Sequence, residues 1–332
     1  MRPSIMKSMT AAVVAAGILM PAVAQAESIK IGAMRLGTSW YVFGATLSKL
    51  LQENLPAGTN VEVVARGGGM GNPISVSKGK VQIALSNVVT AVWAYNGHPV
   101  VYKGIKYDNI RALVGGLNSV WVNAMVKAEY IEKTGNDTLE KIFASGKPIR
   151  IVMKPAGSSI PVVADMVMEA LGSGRDKVKK DGGKIIQVGA KQIPALLRDG
   201  RADLYFEVGM KGHPAVTEAT LTSDMRFMDM PNKVLEKLSK QGLAAKPMPV
   251  YFKGQATPTK SVDMGTLIIA NKSMSVDTAY RITKTIVENK ATMAKAHKAW
   301  AGFIPENAWK PENTGIPIHP GAIKYYKERG WM

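Results

Sequence analysis

The chain has 332 residues, 46% hydrophobic and 20% charged, with 32 glycines and no cysteine. That argues against disorder, rules out a disulfide-stapled scaffold and leaves length for one large packed domain or two smaller ones. Lysine and arginine number 43 against 25 acidic residues, a net charge of +18; the basic residues are scattered, which fits a field that draws in small anions or an acidic surface better than a nucleic-acid groove.

In chain order, Arg2 and Lys7, the apolar run "MTAAVVAAGILMPAVA" and the Ala24-Gln25-Ala26 site read as a signal peptide over residues 1–26, cleaved after Ala26 and directing the protein to the periplasm. Pro21 and the small-residue finish argue against a membrane anchor. Losing Arg2 and Lys7 leaves +16, and no cysteine follows Ala26 to take a lipid.

"SIKIGA" from Ser28 predicts a strand, and "WYVFGATLSKLLQENL" predicts a helix from its three- and four-residue apolar spacing. "NVEVVA" is a second strand, "KVQIALS" a third, and "VVTAVWAYNG" a helix stopped at Asn96-Gly97. The alternation restarts with "SVWVNAMV" as a strand, "TLEKIFASG" as a helix, "IRIVM" as a strand, "AGSSIPVVADMVMEALG" as a loop and helix, "KIIQVG" as a strand, and "QIPALLRDGRADLYFEV" as a helix running into a strand. "GRDKVKKDGGK" reads as a glycine-bounded surface loop. "DMGTLIIA" predicts a strand that returns the chain to the first unit, followed by one helix from about Ser275 to Trp300 and a tail packed on that unit. Two α/β units in series place a binding cleft between them.

Three glycine loops stand between a strand and a helix: "LGTSWY", "GGGMGN" and "AGSS". Gly67, Gly69 and Asn72 miss the third glycine of a dinucleotide fingerprint, no acid stands near position 90, and no phosphate-binding G-x-x-x-x-G-K-[ST] occurs, so no cofactor is expected. Such loops bring backbone N–H groups at helix starts close to an anion, and Thr38, Ser39, Ser158 and Ser159 add hydroxyls. Catalytic and metal residues are not expected. His98, His213, His297 and His319 lack metal-ligand spacing, His98 and His213 read as turn residues before proline, and no G-x-S-x-G is present.

Ile31 to Gly44, "IGAMRLGTSWYVFG", keeps Gly32, Gly37, Tyr41 and Gly44 of the pattern I-G-T-x-S-T-G-G-x-Y-Y-P-x-G. "GGGMGN" with "KGKVQIALSN", "PAGSSI" from Pro155 to Ile160, and "HPGA" from His319 to Ala322 ahead of Tyr325 and Tyr326 follow in matching order. In these blocks the chain resembles the TAXI solute receptors, the periplasmic binding subunits of one class of TRAP transporters. The resemblance implies an α/β, two-lobed periplasmic binding protein of type II-like form, with mixed sheets flanked by helices and a hinge of crossing strands. Lobe I is expected over residues 27–115 plus 266–332 and lobe II over 116–265. It further implies a monomeric, non-enzymatic receptor that binds a small organic acid, a dicarboxylate or an acidic amino acid, and passes it to a TRAP membrane permease. An adaptor that presents the same ligand to a periplasmic sensory receptor is the alternative.

Expected ligand contacts are Gly37, Thr38, Ser39, Trp40 and Tyr41 in the first loop, Gly68, Gly69 and Asn72 in the second, Asn87, and Gly157, Ser158 and Ser159 in the third. Arg35 departs from the family's small hydroxyl residue and is either a bidentate carboxylate partner or an outward-facing cation. Trp40 and Tyr41 offer a flat wall for a carbon skeleton, Trp40 otherwise serving as interdomain packing. Lys154 is a candidate second cation. Glu207 could accept a ligand's amino group, although a solvent-facing role is favoured.

Overall fold

The computed structural model describes residues 28–332, so the signal-peptide expectation lies outside the described residues. The first sheet begins with β1 (Ser28–Gly32), β2 (Asn60–Val64), β3 (Ile83–Ser86) and β4 (Ile110–Val114). The second is built from β5 (Trp121–Lys127), β6 (Arg150–Met153), β7 (Lys184–Gln187), β8 (Leu204–Gly209), β9 (Met225–Met228), β10 (Ala244–Ala245) and β11 (Val262–Asp263). The chain then returns through β12 (Leu267–Asn271) to the middle of the first sheet.

The first sheet has the order β2-β1-β3-β12-β4, with β1 parallel to β2 and β3 and with β12 antiparallel to both its neighbours. Every residue of β3 is buried, and so are Leu267 to Ala270 of β12; a strand covered by helices on both faces needs a continuous apolar run rather than alternation. The second sheet runs β10-β11-β5-β8-β6-β7, with β9 also paired to β5. Here β6 is parallel to β7 and β8, while β5 is antiparallel to β8.

The helix Ser39–Asn54 shows how sequence fixes an element. Thr38 caps it by accepting from the Tyr41 N–H at 3.2 Å, and Trp40, Phe43, Leu47, Leu50 and Leu51 form the buried stripe. Phe43 stacks on Trp300 at 4.0 Å between centroids, tying the C-terminal segment to this helix. Tyr326 of the last helix donates to the Leu113 carbonyl in β4 at 2.7 Å.

Two segments, residues 115–120 and 264–266, connect the sheets and hydrogen-bond to each other. Met264 N donates to Val120 O at 2.9 Å, Thr266 N to Asn118 O at 3.0 Å, and Leu117 N to Thr266 O at 3.1 Å. The Asp263 carboxylate accepts from Val120 N at 2.7 Å and Gly265 N at 2.9 Å, pinning both connections at one point.

Several elements differ from the sequence expectation. The single C-terminal helix is two, Val276–Glu288 and Lys290–Ala296, broken at Asn289, whose side chain donates back to the Thr285 carbonyl at 2.8 Å. The lysine-rich surface loop contains a short helix, Arg175–Lys180, steadied by Lys177 against Asp181. The strands β4 and β9 are additional, β4 pairing with β12 and β9 with β5.

Candidate functional site

The carboxyl ends of the parallel strands β1 and β3 face those of β6 and β8, and the loops leaving these ends meet. The Gly157 carbonyl of the second half accepts from Met70 N at 3.0 Å and Gly71 N at 3.3 Å of the first. Gly68 has φ +122, and a Cβ there would lie 2.8 Å from the Gly157 oxygen, so only glycine permits this approach. Ser159 Oγ donates to Asn87 Oδ1 at 3.1 Å, and Asn87 Nδ2 donates to the Gly265 carbonyl at 2.9 Å, joining both halves to the hinge.

Between the loops lies an inner cavity lined by Thr38, Ser39, Trp40, Gly69, Asn87, Lys154, Ser158 and Ser159 together with Met34, Val120, Val208, Met210 and His213. Thr38, Asn87, Ser159 and His213 are the N-cap residues of four separate helices, two from each half. The positive ends of four helix dipoles therefore border one space. Ser39 Oγ and Trp40 Nε1 are buried and have no hydrogen-bond partner. The space is about 20 Å³ for the centres of water-sized spheres, roughly enough for one water, so a larger guest requires the halves to part. An outer cavity of about 70 Å³ shares Met34, Thr38 and Lys154 with it and adds Arg35, Gly67, Pro155, Ala156 and Gly157.

The parallel register that sets Val152 beside Tyr205, continued two residues, puts Lys154 beside Glu207. Their ion pair is 2.6 Å long with side chains 3% and 0% exposed. Glu207 also accepts from Val208 N at 2.8 Å and the Tyr205 hydroxyl at 2.9 Å. Burial, and then the charge of Glu207, pushes the Tyr205 phenol well above its usual range.

Eight of the expected contacts thus line the inner cavity, and Arg35 and Gly157 line the outer one. The structure gives the other five different work. Asn72 is spent on backbone: its amide donates to Gly32, Ala33 and Leu85 carbonyls, and its oxygen accepts from Gly68 N. Glu207 neither faces solvent nor lines the cavity, because Lys154, Val208 and Tyr205 occupy it. Gly37 packs against the Lys191 backbone, Gly68 against Gly157, and Tyr41 is half-buried away from both cavities.

His213 lines the inner cavity although its sequence context reads as a turn. Its Nδ1 accepts from Val216 N at 3.3 Å, which leaves Nε2 as the N–H nitrogen. Burial drives it well below the ordinary histidine range, with Lys154 and His297 adding repulsion. Only the N-cap position before Pro214 hinted at its place; the apolar residues Met34, Val120, Val208 and Met210 carried no local signal.

Burial also lowers His297 to about 4. An unfolded histidine takes up its proton near pH 6.5, whereas folded His297 resists until about pH 4, so its stabilisation is complete above pH 6.5 and falls away below it. Between pH 6.5 and 5 the loss is expected to be about 2 kcal/mol, with His213 acting in the same direction. Urea unfolding of wild type and His297→Gln between pH 7 and 5 measures it; equal slopes against pH in the two proteins would refute this origin.

Among the described residues no three His, Asp or Glu gather in a way that could hold a metal ion, and no helix is long and apolar enough to cross a membrane.

Two α/β sheets, a double connection and a site at the facing carboxyl ends define a type II periplasmic-binding-protein fold. The chain belongs to the NMT1-like family, which it matches over residues 31–330. Among solved structures, a periplasmic transporter is similar at 13% identity and TM-score 0.50, covering 92% of this chain and 93% of that one. A protein from Bordetella bronchiseptica RB50 is similar at 15% identity and TM-score 0.50, covering 90% and 88%. The alkanesulfonate-binding protein SsuA from Xanthomonas axonopodis pv. citri, bound to MOPS, is 12% identical at TM-score 0.47, covering 91% and 85%. At these identities the first two likenesses are ones of fold alone.

Proposed function

We propose that the protein is an exported solute receptor that closes two lobes, residues 27–115 plus 266–332 and residues 116–265, over a small organic anion. The observation that carries this reading is the convergence of four helix N-caps from both halves on one cavity with unpartnered Ser39 and Trp40 donors. Backbone and hydroxyl donors at helix starts suit an acceptor with negative charge. A ligand that touches both halves favours the closed form by its differential affinity, and no covalent step is needed.

Delivery to a TRAP-type permease, in the periplasm, is the transport role this reading assigns; the TAXI-like blocks around Gly32, Gly69 and Gly157 support it. Arg35, exposed at the outer cavity, is the first guanidinium an arriving carboxylate meets.

A thermal-shift screen of organic acids tests the reading, since a ligand at 100 times its Kd adds about 2.7 kcal/mol. Arg35→Ala is expected to weaken binding of the acid so found without lowering the melting temperature of the free protein. Unchanged affinity would remove Arg35 from the site, and a screen in which no acid stabilises would remove the anion.

A further inference from the structure

The geometry points to a ligand that carries a carboxylate but no ammonium group: the site accepts hydroxy or simple organic acids and rejects the corresponding amino acids. The inference rests on the anion-receptor reading above and narrows the ligand class within it.

An amino acid brings a cation as well as an anion, and a buried ammonium needs an anionic partner. Neither cavity has an aspartate or glutamate in its wall. The acid beside them, Glu207, is fully buried behind the wall, with Oε1 held by Lys154 and Val208 N and Oε2 by the Tyr205 hydroxyl. Lys154 itself lines both cavities, so an incoming ammonium would meet a like charge there.

The neutral acceptors are largely committed too. Thr38 Oγ1 donates to the Arg35 carbonyl at 2.8 Å and accepts from Tyr41 N; Ser158 Oγ accepts from Ile160 N at 3.2 Å. Asn87 Oδ1 takes the Ser159 hydroxyl, and His213 Nδ1 takes Val216 N. What remains free is mostly donor-type: the Trp40 indole N–H and the Lys154 ammonium, which has three protons and one acceptor in Glu207, can only donate, and the Ser39 hydroxyl, able to donate or accept, is a neutral group that does not replace an anionic partner for a buried ammonium. A hydroxyl in place of the amine can accept from these donors, whereas an ammonium cannot.

Matched pairs differing only at that group make the test. Lactate against alanine, and malate against aspartate, are titrated by calorimetry into the wild-type protein, with any stronger acid from the screen paired to its 2-amino counterpart. The hydroxy acid is expected to bind roughly 100-fold tighter than its amino partner, near the upper end of what leaving one buried polar group unsatisfied costs. An amino acid that binds as tightly as its hydroxy partner overturns the inference and leaves the anion receptor standing. If no carboxylate binds in any pair, the reading of the cavity as an anion site falls, and the inference with it.

Discussion

Lys154→Ala is expected to destabilise the protein by about 3–5 kcal/mol, the usual cost of leaving a buried charge without its partner. Glu207 would keep the Tyr205 hydroxyl and the Val208 N–H but lose the cation 2.6 Å away, in a place with no exposure to water. Burying two charges together is itself nearly neutral, so the double variant Lys154→Met, Glu207→Gln should recover most of the loss. Urea unfolding of the three proteins decides it. A single-variant loss under about 1 kcal/mol would show that Glu207 is not confined by Lys154, and the exclusion of amino-acid ligands would lose its main support.

Asn72→Ala should cost a similar amount for a different reason. One buried amide serves four backbone groups on three segments: Gly32 O and Ala33 O at 3.2 Å, Leu85 O at 2.8 Å and Gly68 N at 3.2 Å. With each stranded group worth about 1 kcal/mol or more, the expected total is about 3–5 kcal/mol. Asn72→Asp, nearly identical in shape, should be no better, since it replaces the shared donor by an acceptor facing three carbonyls. Because the same amide fixes the glycine run beside β1 and β3, ligand affinity should fall in any Asn72 variant that still folds. A stable Asn72→Asp protein with full affinity would contradict this account.

Much of the architecture was legible because most strands of the two sheets are short apolar runs, β1 and β8 ending at Gly32 and Gly209, and Asn96-Gly97 stops its helix as expected. The strand Met225–Met228 was not legible. Its sequence does not alternate, and it forms because the edge of β5 is open to receive it. The break at Asn289 was hidden for a related reason: apolar spacing persists across it, while the backbone leaves helical geometry at Asn289 and its side chain bonds back to Thr285.

At the site, a strand-glycine-helix pattern locates loops that approach an anion, which is why Ser39, Gly69 and Ser159 were identified. It does not tell which way an amide turns. Asn72 follows its glycine run as a binding residue would, yet its amide points back into the fold. Nor does it tell where an acid goes: Glu207 looks like any polar residue in a strand until the parallel register brings Lys154 beside it.

The placement of β12 between β3 and β4 constrains the order in which the two sheets can form. Roughly 150 residues separate the end of β4 from β12, so in a chain that emerges amino terminus first β12 arrives only after the whole second sheet. Throughout that interval β3 and β4 lack their common neighbour and keep bare edges on which foreign strands could add. The other sheet, contiguous from Trp121 to Asp263, can finish first, so the nascent protein matures from its middle outward.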